Sequence, residues 1–180
     1  MRILIASDIH GSAYFCEKMI KAFQTEKPDT LLLLGDILYH GPRNDLPRGY
    51  SPKEVIGMLN PIADSIVCVR GNCDAEVDQM VLDFSLSEPY KIIEADGLKL
   101  FATHGHLYNA DNPPDIANNY ILLNGHTHIP ACEQHGDYMY INPGSVSIPK
   151  NGSEHSYIML NDGLFIWKDL DGAEYMRFKA

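Results

Sequence analysis

The chain opens on apolar and small residues, Ile3 to Ser7, that run without a break into Asp8. A short apolar run with β-branched members predicts a strand buried on both faces, in a parallel or mixed sheet. From Ser12 to Glu26 the apolar positions Phe15, Met19, Ile20 and Phe23 recur with helical spacing, and Ser12 stands where an N-cap would. Thr30 to Leu34 is a second apolar run, ending at Gly35-Asp36. The Pro- and Gly-rich stretch from Tyr39 to Ser51 predicts a loop. A helix from Pro52 to Ala63 follows, with Ser51 as cap and Pro52 in the first turn. Ser65 to Arg70 predicts a third strand, ending at Gly71-Asn72-Cys73-Asp74. Strand and helix alternate up to this point, which implies parallel pairing through right-handed crossovers.

The second half is richer in strands. Tyr90 to Ala95 and Leu98 to Thr103 flank Asp96-Gly97, a two-residue hairpin signal, and the second run ends at His104-Gly105-His106. A short helix is expected at Asp115 to Asn119. Tyr120 to Asn124 predicts a strand ending at Gly125-His126-Thr127-His128. Ala131 to His135 and Tyr138 to Asn142 form a hairpin pattern around Gly136-Asp137. Tyr157 to Leu160, Leu164 to Lys168 and Glu174 to Phe178 predict a terminal meander.

No linker, low-complexity tract or composition shift divides the 180 residues, so a single domain over 1–180 is expected. A hydrophobic fraction of 45% and a charged fraction of 21% are ordinary for a globular protein. The formal net charge of −10 argues against a nucleic-acid partner and against anionic membrane surfaces. Cys16, Cys68, Cys73 and Cys132 show no C-x-x-C spacing and read as reduced thiols. A strand is expected after two residues, so no signal peptide is expected, and no apolar run is long enough for a membrane helix. The expected address is the cytoplasm.

The candidate chemistry lies where the apolar runs end. Asp8 and His10 are two apart, and in extended backbone such residues point to the same side. Five runs end in polar clusters: Asp8 with His10, Asp36, Asn72, His104, and His126 with His128. Each cluster contains or adjoins a glycine, which lets the backbone turn tightly behind a ligand. Open α/β sheets place ligands at the carboxyl ends of strands. One such end is unremarkable, but five suggest a common purpose.

In order and spacing, Asp8-x-His10, Gly35-Asp36, Gly71-Asn72-x-Asp74, His104-Gly105 and Gly125-His126-x-His128 resemble the successive blocks of the calcineurin-like metallophosphoesterases. More narrowly, Asn72-Cys73-Asp74, His104-Gly105-His106, Gly41-Pro42-Arg43-Asn44 and Asn142 to Pro149 are similar to the small bacterial YfcE-type phosphodiesterases. The resemblance implies an α/β fold of two mixed β-sheets packed as a sandwich and flanked by helices. It implies two divalent ions, one held by Asp8, His10 and His128, the other by Asn72, His104 and His126, with Asp36 bridging. This thiolate-free donor set suits manganese, iron or zinc without choosing among them; manganese is the first expectation. Two such ions against two carboxylates leave about +2 for a phosphate, and a metal-bridging hydroxide would attack phosphorus in line. The expected activity is therefore metal-dependent hydrolysis of small phosphodiesters.

The chain departs from many relatives at Cys73, where they carry a histidine thought to protonate the leaving group. Cys73 reads slightly better as a small buried filler than as a catalytic group. His106 is a substitute acid, a partner of a ligand, or a solvated residue. Arg43 reaches substrate or is a solvated loop arginine. The stretch Asn142 to Pro149 reads as a pocket edge or a subunit contact, which leaves a homo-oligomer open. A protein-interaction scaffold on the same fold is the alternative from another class, and the seven intact ligand positions favour the enzyme. A phosphomonoesterase or a nuclease would use the same site.

Overall fold

A computed structural model describes residues 1–115 and 120–180. The expected helix at Asp115 to Asn119 lies almost wholly outside them. The eleven strands found there form two mixed sheets. In the first, β1 (Ile3–Ala6), β2 (Thr30–Leu33) and β3 (Ile66–Cys68) are parallel neighbours. This sheet continues from β1 through antiparallel β9 (Ser156–Asn161), β10 (Leu164–Asp169) and β11 (Glu174–Lys179). The second sheet has the order β4 (Tyr90–Ala95), β5 (Leu98–Thr103), β6 (Ile121–Leu123), β8 (Tyr138–Pro143), β7 (Pro130–His135). Its middle pairs, β5 with β6 and β6 with β8, are parallel, and its outer pairs are hairpins.

The continuous apolar character of β1 and β2 has a simple cause, because both faces of these strands are covered. Ile3, Ile5, Leu32 and Leu34 point at the second sheet and meet Leu100, Ala102, Leu123 and Ile141. Leu4, Ala6, Leu31 and Leu33 point the other way, at α1 (Ala13–Glu26) and α2 (Pro52–Leu59). Period-2 alternation therefore survives as a choice between two cores rather than between core and water.

The helix boundaries follow local chemistry. Ser12 caps α1 by accepting the Phe15 N–H at 3.2 Å. At the other end Lys27 turns left-handed, donates its N–H to the Phe23 carbonyl at 3.0 Å, and hands the chain to Pro28. The second helix is shorter than its sequence pattern. It ends at Leu59 and tightens into a 3-10 segment, Asn60–Ser65, because Pro61 lacks an N–H and crowds the preceding turn. Ser51 does not cap it through its side chain; the hydroxyl donates to Glu54 instead, at 2.9 Å.

Candidate metal centre

The carboxyl ends of β1, β2, β3, β5 and β6 meet, and the seven side chains singled out from the sequence converge there. On one side, Nε2 of His10 and Nε2 of His128 face each other at 3.2 Å. Asp8 Oδ1 lies 3.5 Å and 3.2 Å from the same two nitrogens. On the other side, His104 Nε2 lies 3.0 Å from Asn72 Oδ1 and 3.1 Å from His126 Nδ1. Asp36 Oδ2 stands between the groups, 3.3 Å from His104 Nε2 and 3.7 Å from His10 Nε2.

Backbone carbonyls behind the rings decide which nitrogens face inward. Nδ1 of His10 donates to the Tyr39 carbonyl at 2.8 Å, Nδ1 of His104 to Leu34 at 2.7 Å, and Nδ1 of His128 to Ile148 at 2.6 Å. In neutral rings these bonds place the hydrogen on Nδ1 and leave a bare lone pair on Nε2. Two bare lone pairs 3.2 Å apart repel unless a cation lies between them. Asp8 Oδ1 is buried without a hydrogen bond, although two imidazole nitrogens lie near it. An orphaned carboxylate oxygen beside facing imidazoles fits a divalent cation, as do the oxygen and nitrogen donors.

The electrostatics carry the same strain. Burial works to raise the Asp8 carboxyl, but the facing His10 and His128 outweigh it and hold Asp8 well below the usual range. Burial works to lower His104, but the Asp36 carboxylate overrides it and raises the ring to about 9. His126 is pushed down to about 4 by burial and then by the neighbouring His104.

The supporting residues stand in the sequence motifs, Asp74 in Gly71-Asn72-x-Asp74 and Ser145 and Ser147 in Asn142 to Pro149, but the motifs do not show what they do. Asp74 is buried, and its carboxylate accepts three backbone N–H groups: Asp36 and Gly71 on Oδ2 at 2.8 and 2.7 Å, and Ile37 on Oδ1 at 2.8 Å. It ties the end of β2 to the end of β3. Burial still raises its pKa, against the pull of those donors. Ser145 and Ser147 both donate hydroxyls to the Asp8 carbonyl, at 2.9 and 3.0 Å. The stretch Asn142 to Pro149 thus braces the site from behind through Asp8 and His128. Asn142 adds a bond from Nδ2 to the Gly125 carbonyl at 2.8 Å.

Two sequence expectations need correction. Asp8 and His10 do not share a side by extended backbone: both are left-handed, with φ of 59° and 49°. The glycines also differ in purpose. Gly11 and Gly35 supply positive φ, but Gly71 and Gly125 do not. They are needed for close approach, because a Cβ on Gly71 would collide with the Asp36 carboxylate and one on Gly125 with the Ser7 hydroxyl.

A pocket of about 460 Å³ opens over the cluster, with Arg43, Cys73, Thr127 and Lys150 among its lining residues. Cys73 is therefore not a buried filler. It is half-buried on the pocket wall, its N–H donates to Asp36 Oδ1 at 2.8 Å, and its Sγ accepts from Asn72 Nδ2 at 3.3 Å. Burial, then the Asp36 carboxylate, push its thiol up to about 12. His106 stands beside the cluster, its ring 5.4 Å from that of His104 and 6.3 Å from that of His126, and it is not among the side chains lining this pocket. Lys150 carried no sequence signal; only the fold brings the β8–β9 loop to the β2 loop.

Among the described residues no helix is long and apolar enough to cross a membrane. Residues 1–162 match the model of the calcineurin-like phosphoesterase superfamily domain. The chain is 47% identical to phosphodiesterase YfcE of Escherichia coli over 162 residues, 90% of this chain and 88% of the relative. The solved structure of YfcE, described as a phosphoesterase from E. coli, superposes with a TM-score of 0.95 at 44% identity, covering 99% of this chain and 98% of that one. Vps29 from Entamoeba histolytica complexed with zinc shares the fold, with a TM-score of 0.65 at 20% identity over 99% of this chain and 98% of that one. On the match of its first 162 residues and of nine-tenths of its length to such a relative, this chain belongs to the calcineurin-like phosphoesterase superfamily.

Proposed function

We propose that this protein hydrolyses small phosphodiesters at a pair of divalent metal ions. The observation that carries the reading is the pair of bare, facing Nε2 atoms of His10 and His128 beside the orphaned Asp8 oxygen. Asp8, His10 and His128 would hold one ion, and Asn72, His104 and His126 the other. Asp36, with one oxygen between the two groups, would touch both. Two divalent ions, once bound, supply Lewis acidity and positive charge for phosphate chemistry.

The chain's own residues do the rest. Carbonyls of Leu34, Tyr39 and Ile148 hold three imidazoles in the tautomer that presents Nε2. Asp74, Ser145 and Ser147 keep the two carboxylate-bearing turns from relaxing. Arg43 and Lys150, on opposite loops of the pocket, offer positive charge to the non-bridging phosphate oxygens. Cys73 stands on the pocket wall with a thiol that keeps its proton near neutral pH, so a departing alkoxide finds no well-matched acid there. The ions are proposed to be manganese, with iron and zinc as the competing choices, and the address to be the cytoplasm.

The test begins with metal-stripped protein. Manganese, iron and zinc are added back separately and assayed on a matched aryl diester and aryl monoester. Activity should be absent without metal, return with manganese, and favour the diester. Full turnover in chelator after verified metal removal refutes the metal reading, and equal kcat/KM on the two esters refutes the diester reading.

A further inference from the structure

A second groove adjoins the metal pocket. The two share a wall made by Pro42, Arg43, Asn72 and Cys73. Beyond that wall the second groove encloses about 650 Å³, with Tyr39 and Arg70 along it and Glu76 at its edge. A diester has two arms on phosphorus. With phosphorus over the metal cluster, one arm can cross the Cys73–Arg43 wall while the other lies toward Thr127 and Lys150.

Two arginines and two carboxylates, Asp74 and Glu76, line the second groove. Arg43 and Arg70 both line it, and among the described residues neither forms an ion pair. Asp74 forms no ion pair with Arg70; its oxygens accept backbone N–H groups of Asp36, Ile37 and Gly71. Arg70 instead donates Nε to the Asp74 carbonyl at 3.3 Å, which anchors the guanidinium and leaves its terminal nitrogens unengaged among the described residues. Glu76 is exposed and pairs with neither arginine. Two like charges on one groove repel, and an anion between them removes the repulsion and gains charge-assisted hydrogen bonds.

We propose that this groove is a subsite for a substrate arm bearing a second phosphate, so that the preferred substrates are diesters with one anionic arm. The proposal rests on the diesterase reading above and names its substrate class. Arg70 is the specificity residue, and Arg43 serves both the scissile phosphate and the arm.

The experiment uses the manganese-loaded enzyme and two p-nitrophenyl diesters. Their second arms are two-carbon chains, ending in a methyl ether in one probe and in a phosphate in the other. The parent should prefer the phosphate-ended probe in kcat/KM by on the order of tenfold, mainly through KM. Arg70→Met should bring that ratio toward one, and Arg70→Lys should retain part of it. General damage to the fold lowers both rates and leaves the ratio in place. A ratio of one or less in the parent, or a ratio unchanged in Arg70→Met, overturns the proposal. Absence of turnover of both probes is a failure of the diesterase reading instead. The subsite is then judged by calorimetry with ethylene glycol bisphosphate: tighter binding to the parent than to Arg70→Met supports it, and equal binding overturns it.

Discussion

Asp74 offers the sharpest test of how the site is held. Its Oδ2 accepts two buried N–H groups, from Asp36 and Gly71, and its Oδ1 accepts a third, from Ile37. Asp74→Asn can keep the first two on its amide oxygen, but its NH2 then meets the Ile37 N–H, donor against donor. One unsatisfied buried donor costs about 1–3 kcal/mol. At about 2–4 °C per kcal/mol for a chain of this size, the melting temperature should fall by roughly 5 °C. Asp74→Ala strands all three donors, for a loss of roughly 3–9 kcal/mol. That is comparable with the whole stability of a typical domain, about 5–15 kcal/mol, so the alanine variant should fold poorly or not at all. The asparagine variant should also bind manganese more weakly, because the Asp36 turn loses its rear support. Thermal unfolding by circular dichroism, with and without manganese, measures both effects. If Asp74→Asn melts within about 1 °C of the parent and binds manganese equally, the three-donor account is wrong.

Asp36→Asn should be the most damaging conservative change at the cluster, since Asp36 stands between both groups of donors; metal content by mass spectrometry should fall from two ions toward one or none, and an unchanged content refutes the bridging role. Cys73→His should speed alkyl diesters relative to aryl diesters by up to about 10²–10⁴-fold, the usual worth of a placed acid; a leaving-group plot that keeps its slope in the variant counts against it. His155 stacks on Phe15 with ring centroids 3.8 Å apart and donates to the Val146 carbonyl at 2.9 Å; burial lowers its pKa below the ordinary 6.5. Because its folded pKa is depressed, its contribution is present above about pH 6.5 and lost as pH falls through the folded value. His155→Phe should therefore lose less stability than the parent between pH 7 and pH 5, and parallel stability curves for the two proteins would refute this.

Much of the fold was legible because burial writes itself into short apolar runs. The β4–β5 hairpin matched its prediction to the residue, with Asp96-Gly97 supplying two left-handed turn positions. The division into two sheets was not legible from those runs. Five similar strand ends carry no mark of which sheet they belong to, and β1 and β5 look alike because each is covered on both faces. The length of α2 was overread because Val55, Ile56 and Leu59 keep helical period up to Pro61 and Ile62 and Ala63 continue it beyond. Asp74, Ser145 and Ser147 stand in the motifs that carry the resemblance, but their task was not legible, for a different reason. They act on backbone atoms of distant residues, and such partners leave no pattern in sequence.

The deepest gap between sequence and site is conformational. Asp8, His10, Asp36, His126 and His128 all adopt left-handed backbone, with φ between 49° and 64°. Such a conformation costs a non-glycine residue roughly 1–2 kcal/mol, so five of them approach the stability of a whole domain. Aspartate and histidine tolerate it better than most residues, which is one reason these donors can stand there. In these left-handed turns the Asp8 and His10 side chains lie 3.5 Å apart. The turns persist because other segments hold them. Asp8 donates its N–H to Gly35 at 3.1 Å, His10 to the Asp36 carbonyl at 2.9 Å, Gly11 to Ile37 at 2.8 Å, and His126 to Asp8 Oδ2 at 3.0 Å. Each strained turn is thus fastened to another turn of the same cluster. Loosening one releases its neighbour, which is why residues that touch no substrate, Asp74 first among them, should govern metal affinity.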